Sequence, residues 1–225
     1  MKITYLGHAA LSIRLANTNI LVDPFITGNE LASHIDISNL KAEYIFITHA
    51  HEDHILDVEN IAKRTGAQIV SNFEIVNYYG KLGIKGHPMN HGGSWKFNFG
   101  RLTYTNAIHT SSFPDGTYGG QPGGFILESN EGTIYIAGDT ALTMDMKLIP
   151  LQTKLDLAIL PIGDNFTMGV ESAIIASDFV ECNHILGYHF DTFGYKKIDH
   201  SEAKNRFSKS GKKLEILEIG ESLTV

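Results

Sequence analysis

Residues 44 to 57 read YIFITHAHEDHILD, an apolar run that ends in three histidines and two acids within six positions. Side chains of an extended segment repeat every second residue, so His49 and His51 leave the end of a Tyr44–Thr48 strand on one side. One metal ion could take both. Asp53 and His54 fall at the turn into a helix expected over Ile55–Thr65 and stopped by Gly66. Unpaired N–H groups favour a carboxylate at such a turn, and this second pair can face a point displaced from the first. Imidazole and carboxylate donors suit Zn²⁺ and related first-row divalent ions, whereas a set without thiolates argues against a structural zinc finger. Glu52, between the paired donors, is read as solvated.

The rest of the chain supplies a frame. Alternating apolar and polar residues mark a β meander near 2–6, 11–16 and 19–23, with a turn at Asn17-Thr18-Asn19 and an end at Asp23-Pro24. A strand at 69–71, a helix at 73–82 and a strand at 86–89 follow. The pattern then changes to hairpins, 95–99 with 102–108 and 124–128 with 133–137. Strands at 157–161, 185–189 and 214–218 close the chain, separated by helices near 143–153, 170–181 and 199–209. Two halves that each begin with hairpins and finish with helix-flanked strands predict two face-to-face sheets with helices outside, in one domain over 1–225. Three of these strands run directly into further donors, His109, Asp139 and His189. Strand ends are where such folds present functional side chains.

Composition narrows the partners. A formal charge of -7, with 19% charged residues and no block of Lys or Arg, offers no track for a polyanion, so nucleic acid is disfavoured. Cys182 is the sole cysteine, which excludes an intramolecular disulfide and reads as a buried thiol. The opening MKITYLGHAALSIRL lacks a continuous apolar segment, and no other run approaches membrane-spanning length. The reading is a cytoplasmic protein without a membrane partner.

HAHEDH at 49–54, AIHTSS around His109, AGDT around Asp139 and GYHFDT around His189 resemble the successive motifs of the metallo-β-lactamase superfamily. The match spans essentially the whole chain, and LVDPF at 21–25 adds the family's early aspartate. Within the superfamily, YLGHAALSI near the start, GDNFTMG at 163–169 and the short length resemble small metal-dependent hydrolases related to the ascorbate-phosphate lactonase branch. The resemblance implies an α+β fold, a four-layer αββα sandwich. It also implies two divalent metal ions, zinc or manganese first, with iron or nickel also compatible. His49, His51 and His109 would bind one, Asp53, His54 and His189 the other, and Asp139 would bridge them. Hydroxide activated between the ions would perform the chemistry, with Asp53 also acting as a catalytic residue that orients it.

Less direct roles follow from the same resemblance and, for Tyr118 and Asp57, from their positions in the sequence. Asp23 would brace the histidine loop, or merely form the turn before Pro24. His8 would touch substrate or lie beside the second metal, or serve a structural hydrogen bond. Tyr118, in the Gly- and Pro-rich loop 111–124, would rim the pocket, unless that loop is merely a connection, and Asp164, Asn165 and Thr167 would line it, unless Thr167 simply caps the next helix. Asp57, one turn past His54, would accept that ligand's remaining N–H, or lie solvated on the helix. His34, His87, His91, His184 and His200 lack a ligand pattern and are read as surface or core residues.

Departures from relatives select among functions. Class B β-lactamases often carry Cys where this chain has Asp139, and no export signal is present, so drug hydrolysis is disfavoured. The two-iron redox branch typically has Glu in place of His51 and an added flavodoxin-like domain. RNA-processing members typically carry an arm or inserted domain for the polymer. The leading expectation is hydrolysis of a small-molecule ester, most simply a lactone. The alternatives are a phosphodiesterase or nuclease-type hydrolase, or a non-catalytic metal-binding sensing module; a homo-oligomer is a family-level expectation.

Overall fold

The computed structural model describes residues 1–194 and 197–225. The first sheet begins with an antiparallel meander of β1 (Lys2–Gly7), β2 (Ala10–Leu15) and β3 (Thr18–Val22). It continues with β4 (Tyr44–Phe46), β5 (Gln68–Asn72) and β6 (Gly86–Met89), each parallel to its neighbour, joined through α1 (Glu52–Ile55), α2 (Val58–Thr65) and α3 (Phe73–Lys81). The second sheet repeats this plan. Antiparallel β7 (Ser94–Phe97), β8 (Gly100–Asn106), β9 (Gly123–Ser129) and β10 (Gly132–Ile136) lead into parallel β11 (Leu157–Pro161), β12 (His184–Tyr188) and β13 (Lys213–Glu215). Here α4 (Val170–Phe179) and α5 (His200–Lys209) make the connections. A three-residue strand not expected from the sequence, β14 (Ser222–Thr224), returns to the first sheet and sets Thr224 opposite Lys2.

The period-two alternation decides which face each side chain joins. Ile20, Val22, Phe46 and Val70 enter the core between the sheets, with Leu102, Tyr104, Phe125 and Leu127 from the other side. Their neighbours Leu21, Ile45 and Ile69 point outward and are covered by Val58, Ile61, Ile75 and Tyr79 of the helices. Each fully buried side chain of this kind contributes about 1.5–3 kcal/mol relative to exposure. The expected layered α+β architecture is therefore present. Among the described residues no helix is long and apolar enough to cross a membrane.

Two expected helices differ. The segment expected as one helix over 55–65 is broken between α1 and α2, because the Asp57 backbone N–H donates to Pro24 O (3.1 Å) rather than continuing a single ladder. The helix expected near 143–153 is a short 3-10 helix, Met144–Leu148. An α-helix there would need an N–H at position 150 for the Met146 carbonyl, and Pro150 has none; Ile149 N donates to that carbonyl instead, at 3.2 Å.

Strand direction decides where chemistry collects. β1, β3 and β4 run the same way in the first sheet, as do β8, β10, β11 and β12 in the second. The loops leaving these strands carry His8, Asp23, the 49–54 stretch, His109, Asp139, the 163–169 loop and His189. All seven emerge from carboxyl-terminal strand ends.

Candidate metal centre

The chain bends sharply to aim several of these side chains. His8, Asp23 and His189 adopt positive φ values of 55°, 42° and 60°, a conformation that costs a non-glycine residue about 1–3 kcal/mol and is kept where surrounding bonds over-determine it. The His189 N–H donates to His8 O at 2.8 Å, tying the two loops together. Before Asp139, Gly138 has φ 69°, and a Cβ there would sit 2.6 Å from Gly123 O and 3.0 Å from the Thr48 side chain. Only glycine lets the Asp139 turn pass so close to the histidine loop.

The seven donors expected from the sequence, with His8 as an eighth, come together in overlapping groups. His49, His51 and His109 converge with ligand atoms within 4.8 Å of one another; so do His49, His54 and Asp139, and so do His8, Asp53, His54 and His189. Asp139 is the hinge between them. Its Oδ1 lies 3.5 Å from His54 Nε2, while its Oδ2 lies 2.8 Å from His189 Nε2 and 3.6 Å from His109 Nε2.

The hydrogen bonds indicate which nitrogens are left to face a cation. Thr48 Oγ1 donates to Asp23 Oδ2 (2.6 Å), so toward His49 Nδ1 (3.0 Å) it accepts, which places the His49 proton on Nδ1 and leaves Nε2 bare. That bare Nε2 faces His51 Nδ1 at 3.0 Å. His54 Nδ1 donates to Asp23 Oδ2 at 2.9 Å, which leaves its Nε2 aimed at Asp139 Oδ1. Neither of these last two buried atoms has a hydrogen-bond partner. Two buried acceptors face to face are costly unless a proton or a metal cation lies between them; without metal the raised His54 holds that proton, and a divalent ion could take its place. The donor set therefore fits divalent metal.

Charge is distributed unevenly across the site. Burial pushes His49 well below the ordinary imidazole range, helped by the charge of His54, against the pull of Asp139. Burial likewise pushes His109 down to about 4, against Asp139 and with the neighbouring histidines. Burial alone would also lower His54, but the negative charge of Asp139 and Asp23, together with the hydrogen bond that Asp23 accepts from Nδ1, outweighs it and raises His54 well above its usual value. Asp139 is held well below the carboxylate range by His189 and His54, despite full burial.

The surrounding residues separate into those at the centre and those elsewhere. Asp23 sits under it, fully buried, accepting from Thr48 N, Thr48 Oγ1 and His54 Nδ1. His8 is inside it, with Nε2 3.0 Å from Asp53 Oδ2, Nδ1 2.9 Å from Thr192 Oγ1 and its ring 4.3 Å from that of His189. The sequence reading of Asp57 needs correction. Its carboxylate accepts from Ile26 N, Thr27 N and Thr27 Oγ1, and the His54 proton goes to Asp23 instead. The break after α1 carries Asp57 away from the position that one-turn spacing implies.

A cavity of about 480 Å³ opens over the centre, with His51, Asp53, His109 and Asp139 at its floor and Thr110, Phe166 and Phe193 in its walls. Tyr118 is not in this wall; it is exposed, in a loop pinned by Asn72 Nδ2 to Gly119 O (2.8 Å) and by Ser111 Oγ to the same oxygen (2.9 Å). Asp164 and Asn165 line a different cavity, between α4 and α5. Thr167 donates to Met168 O (3.3 Å), and the cap of α4 is Gly169. The residue of GDNFTMG that reaches the site is Phe166. Phe166, Phe193, Thr110, Thr192 and Thr48 were missed by sequence reasoning. For Phe166 the only signal was its place inside a motif already singled out.

A β-lactamase superfamily domain model matches residues 2–189. A UPF0173 metal-dependent hydrolase of Flavobacterium johnsoniae is 68% identical over 223 residues, covering 99% of each chain. One from Christiangramia forsetii is 65% identical, again over 99% of each. Among solved structures, a metallo hydrolase from the hyperthermophilic archaeon Ignicoccus hospitalis aligns with a TM-score of 0.90 at 34% identity, covering 100% of this chain and 97% of that one.

Proposed function

We propose, for a chain that belongs to the UPF0173 family of metal-dependent hydrolases within the β-lactamase superfamily, the hydrolysis of a small-molecule ester at a centre of two divalent ions. A lactone is the first choice and a phosphodiester the second, by likeness to the ascorbate-phosphate lactonase branch. The observation that carries the reading is the position of Asp139, whose two oxygens face His54 on one side and His189 with His109 on the other. His49, His51 and His109 would hold one ion, Asp53, His54 and His189 the second, and Asp139 both. Zinc or manganese fits first; iron and nickel are also compatible with nitrogen and oxygen donors. Such a pair of cations supplies Lewis acidity toward a carbonyl oxygen and a lowered pKa for water.

The chain's own residues have definable tasks. Asp53 is partly exposed at the cavity floor, with Oδ2 3.0 Å from His8 Nε2, and its carboxylate would take a proton from water and return it to the leaving alkoxide. In hydrolysis the carbonyl carbon gains the oxygen of water, the ester C–O bond breaks, and the departing alkoxide takes up that proton. Thr48 and Asp23 fix imidazole orientation, and Thr110 Oγ1 lies 3.3 Å from His51 Nε2. Elemental analysis of natively purified protein, joined to a panel of lactones and phosphodiesters, tests the reading beside His51→Ala and Asp53→Ala. Loss of turnover in both variants is expected; three proteins behaving alike on every compound would overturn it.

A further inference from the structure

Resting on the hydrolytic reading above, we propose that the substrate is an uncharged ester or lactone bearing an alkyl or aromatic group, seated between Phe166 and Phe193. Both phenyl rings are in the cavity wall above the prospective ligands, and both keep substantial exposure, 51% for Phe166 and 37% for Phe193. Isolated exposed apolar residues are ordinary, but two flanking one cavity over a cluster of metal donors form a recognition surface.

The backbone is constrained to present them. Phe166 follows Asp164 and Asn165, consecutive non-glycine residues at φ 62° and 58°, in a loop closed by the Gly163–Gly169 bridge. Phe166 N donates to Asp164 O and Asn165 N to Asp164 Oδ1, which holds the tight turn. Phe193 follows Asp191, also at positive φ, and the Asp191 carboxylate is fastened by Ile198 N (3.0 Å) and His200 Nε2 (2.7 Å). Behind Phe193 lie His8 and Phe25, with ring centroids 5.5 and 6.3 Å away. Each ring thus stands at the end of a braced, left-handed turn. Such conformations persist where the surroundings impose them, and here they aim rings at the mouth of the centre.

The same wall speaks against an anionic ligand. Among the described residues that line the cavity there is no Lys or Arg; besides the prospective ligands they offer a phosphate group the Thr110 hydroxyl and two phenyl rings. A neutral acyl or lactone ring needs no Lys or Arg, and its apolar part gains by leaving water for the two rings.

The test uses zinc-loaded protein with γ-butyrolactone, γ-nonalactone and bis(4-nitrophenyl) phosphate. The expected kcat/KM for the nonalactone exceeds that for the butyrolactone by at least about tenfold, with the phosphodiester slowest. Phe166→Ala should collapse the ratio between the two lactones, and Phe166→Leu should restore most of it. In parallel, ring signals of Phe166 and Phe193 are followed by NMR as γ-nonalactone is added, and both should shift. Equal lactone rates, a faster phosphodiester or unmoved rings would each overturn the proposal. Shifted rings without turnover of any compound would support the apolar seat and count instead against the hydrolytic reading of the centre.

Discussion

The rings of His49 and His54 lie 4.1 Å apart, yet they belong to donor sets that the protein holds by opposite means. His49, His51 and His109 form a set of imidazoles alone, and burial keeps His49 and His109 neutral. The other donors, His8, Asp53, His54 and His189, with Asp139 beside His54 and His189, include the carboxylates, and there opposite charges stabilise one another. On the proposed reading, the first set would ligate as it stands and the second would supply the negative charge that two cations need. One centre would then divide preparation and neutralisation between its halves, with Asp139 as the shared member.

Breaking the shared member should give the largest effect. Asp139→Ala is expected to empty both halves and to lower kcat/KM by about 10³-fold, the scale of several kcal/mol of lost charge stabilisation. Elemental analysis with initial rates checks it. Two ions retained with activity within tenfold would mean that the halves do not share this carboxylate.

Sharpening the comparison requires a change confined to one half. Thr48→Val keeps the shape but removes the hydroxyl that stands between Asp23 Oδ2 and His49 Nδ1. The His49 set should lose about 10–100-fold in metal affinity, the usual cost of deleting a group that orients a ligand. The His54 set should be spared, since Asp23 still accepts from His54 Nδ1. Stepwise removal by a chelator distinguishes the halves, and simultaneous release of both ions would contradict the division.

What the sequence revealed of this centre, and what it concealed, follows from the same geometry. Ligands must stand where strands end, and strand ends are legible from alternation, so the 49–54 stretch, His109, Asp139 and His189 could be read and are brought together. Asp57 failed because its assignment assumed one unbroken helix, whereas a backbone bond to Pro24 breaks it. Spacing cannot report such a tertiary contact. Phe166 and Phe193 were hidden differently, since each is placed by left-handed residues whose φ no pattern of hydrophobicity encodes. The layered fold was legible because its two halves repeat one pattern, while β14 depends on pairing with β1 from the opposite end of the chain.

The smallest effect is a slope, seen in metal-free protein. His109 is lowered to about 4 and His49 is likewise held well below the usual value, both chiefly by burial. Between about 6.5, the value for an unperturbed imidazole, and about 4, these residues stay neutral when folded but take up protons when unfolded. The unfolded state then binds more protons, so their contribution is full above about 6.5 and is lost as pH falls toward 4. His54 has the opposite sign. Raised by Asp139 and Asp23, it contributes fully below about 6.5 and loses that contribution as pH rises through its higher folded value. Denaturant midpoints measured across this range should therefore fall on the acid side for the wild type, and less steeply in His109→Gln, which removes one proton-binding group from the imidazole half. Equal acid slopes would show that burial does not hold His109 neutral, and the contrast between the halves would then rest on the carboxylates alone.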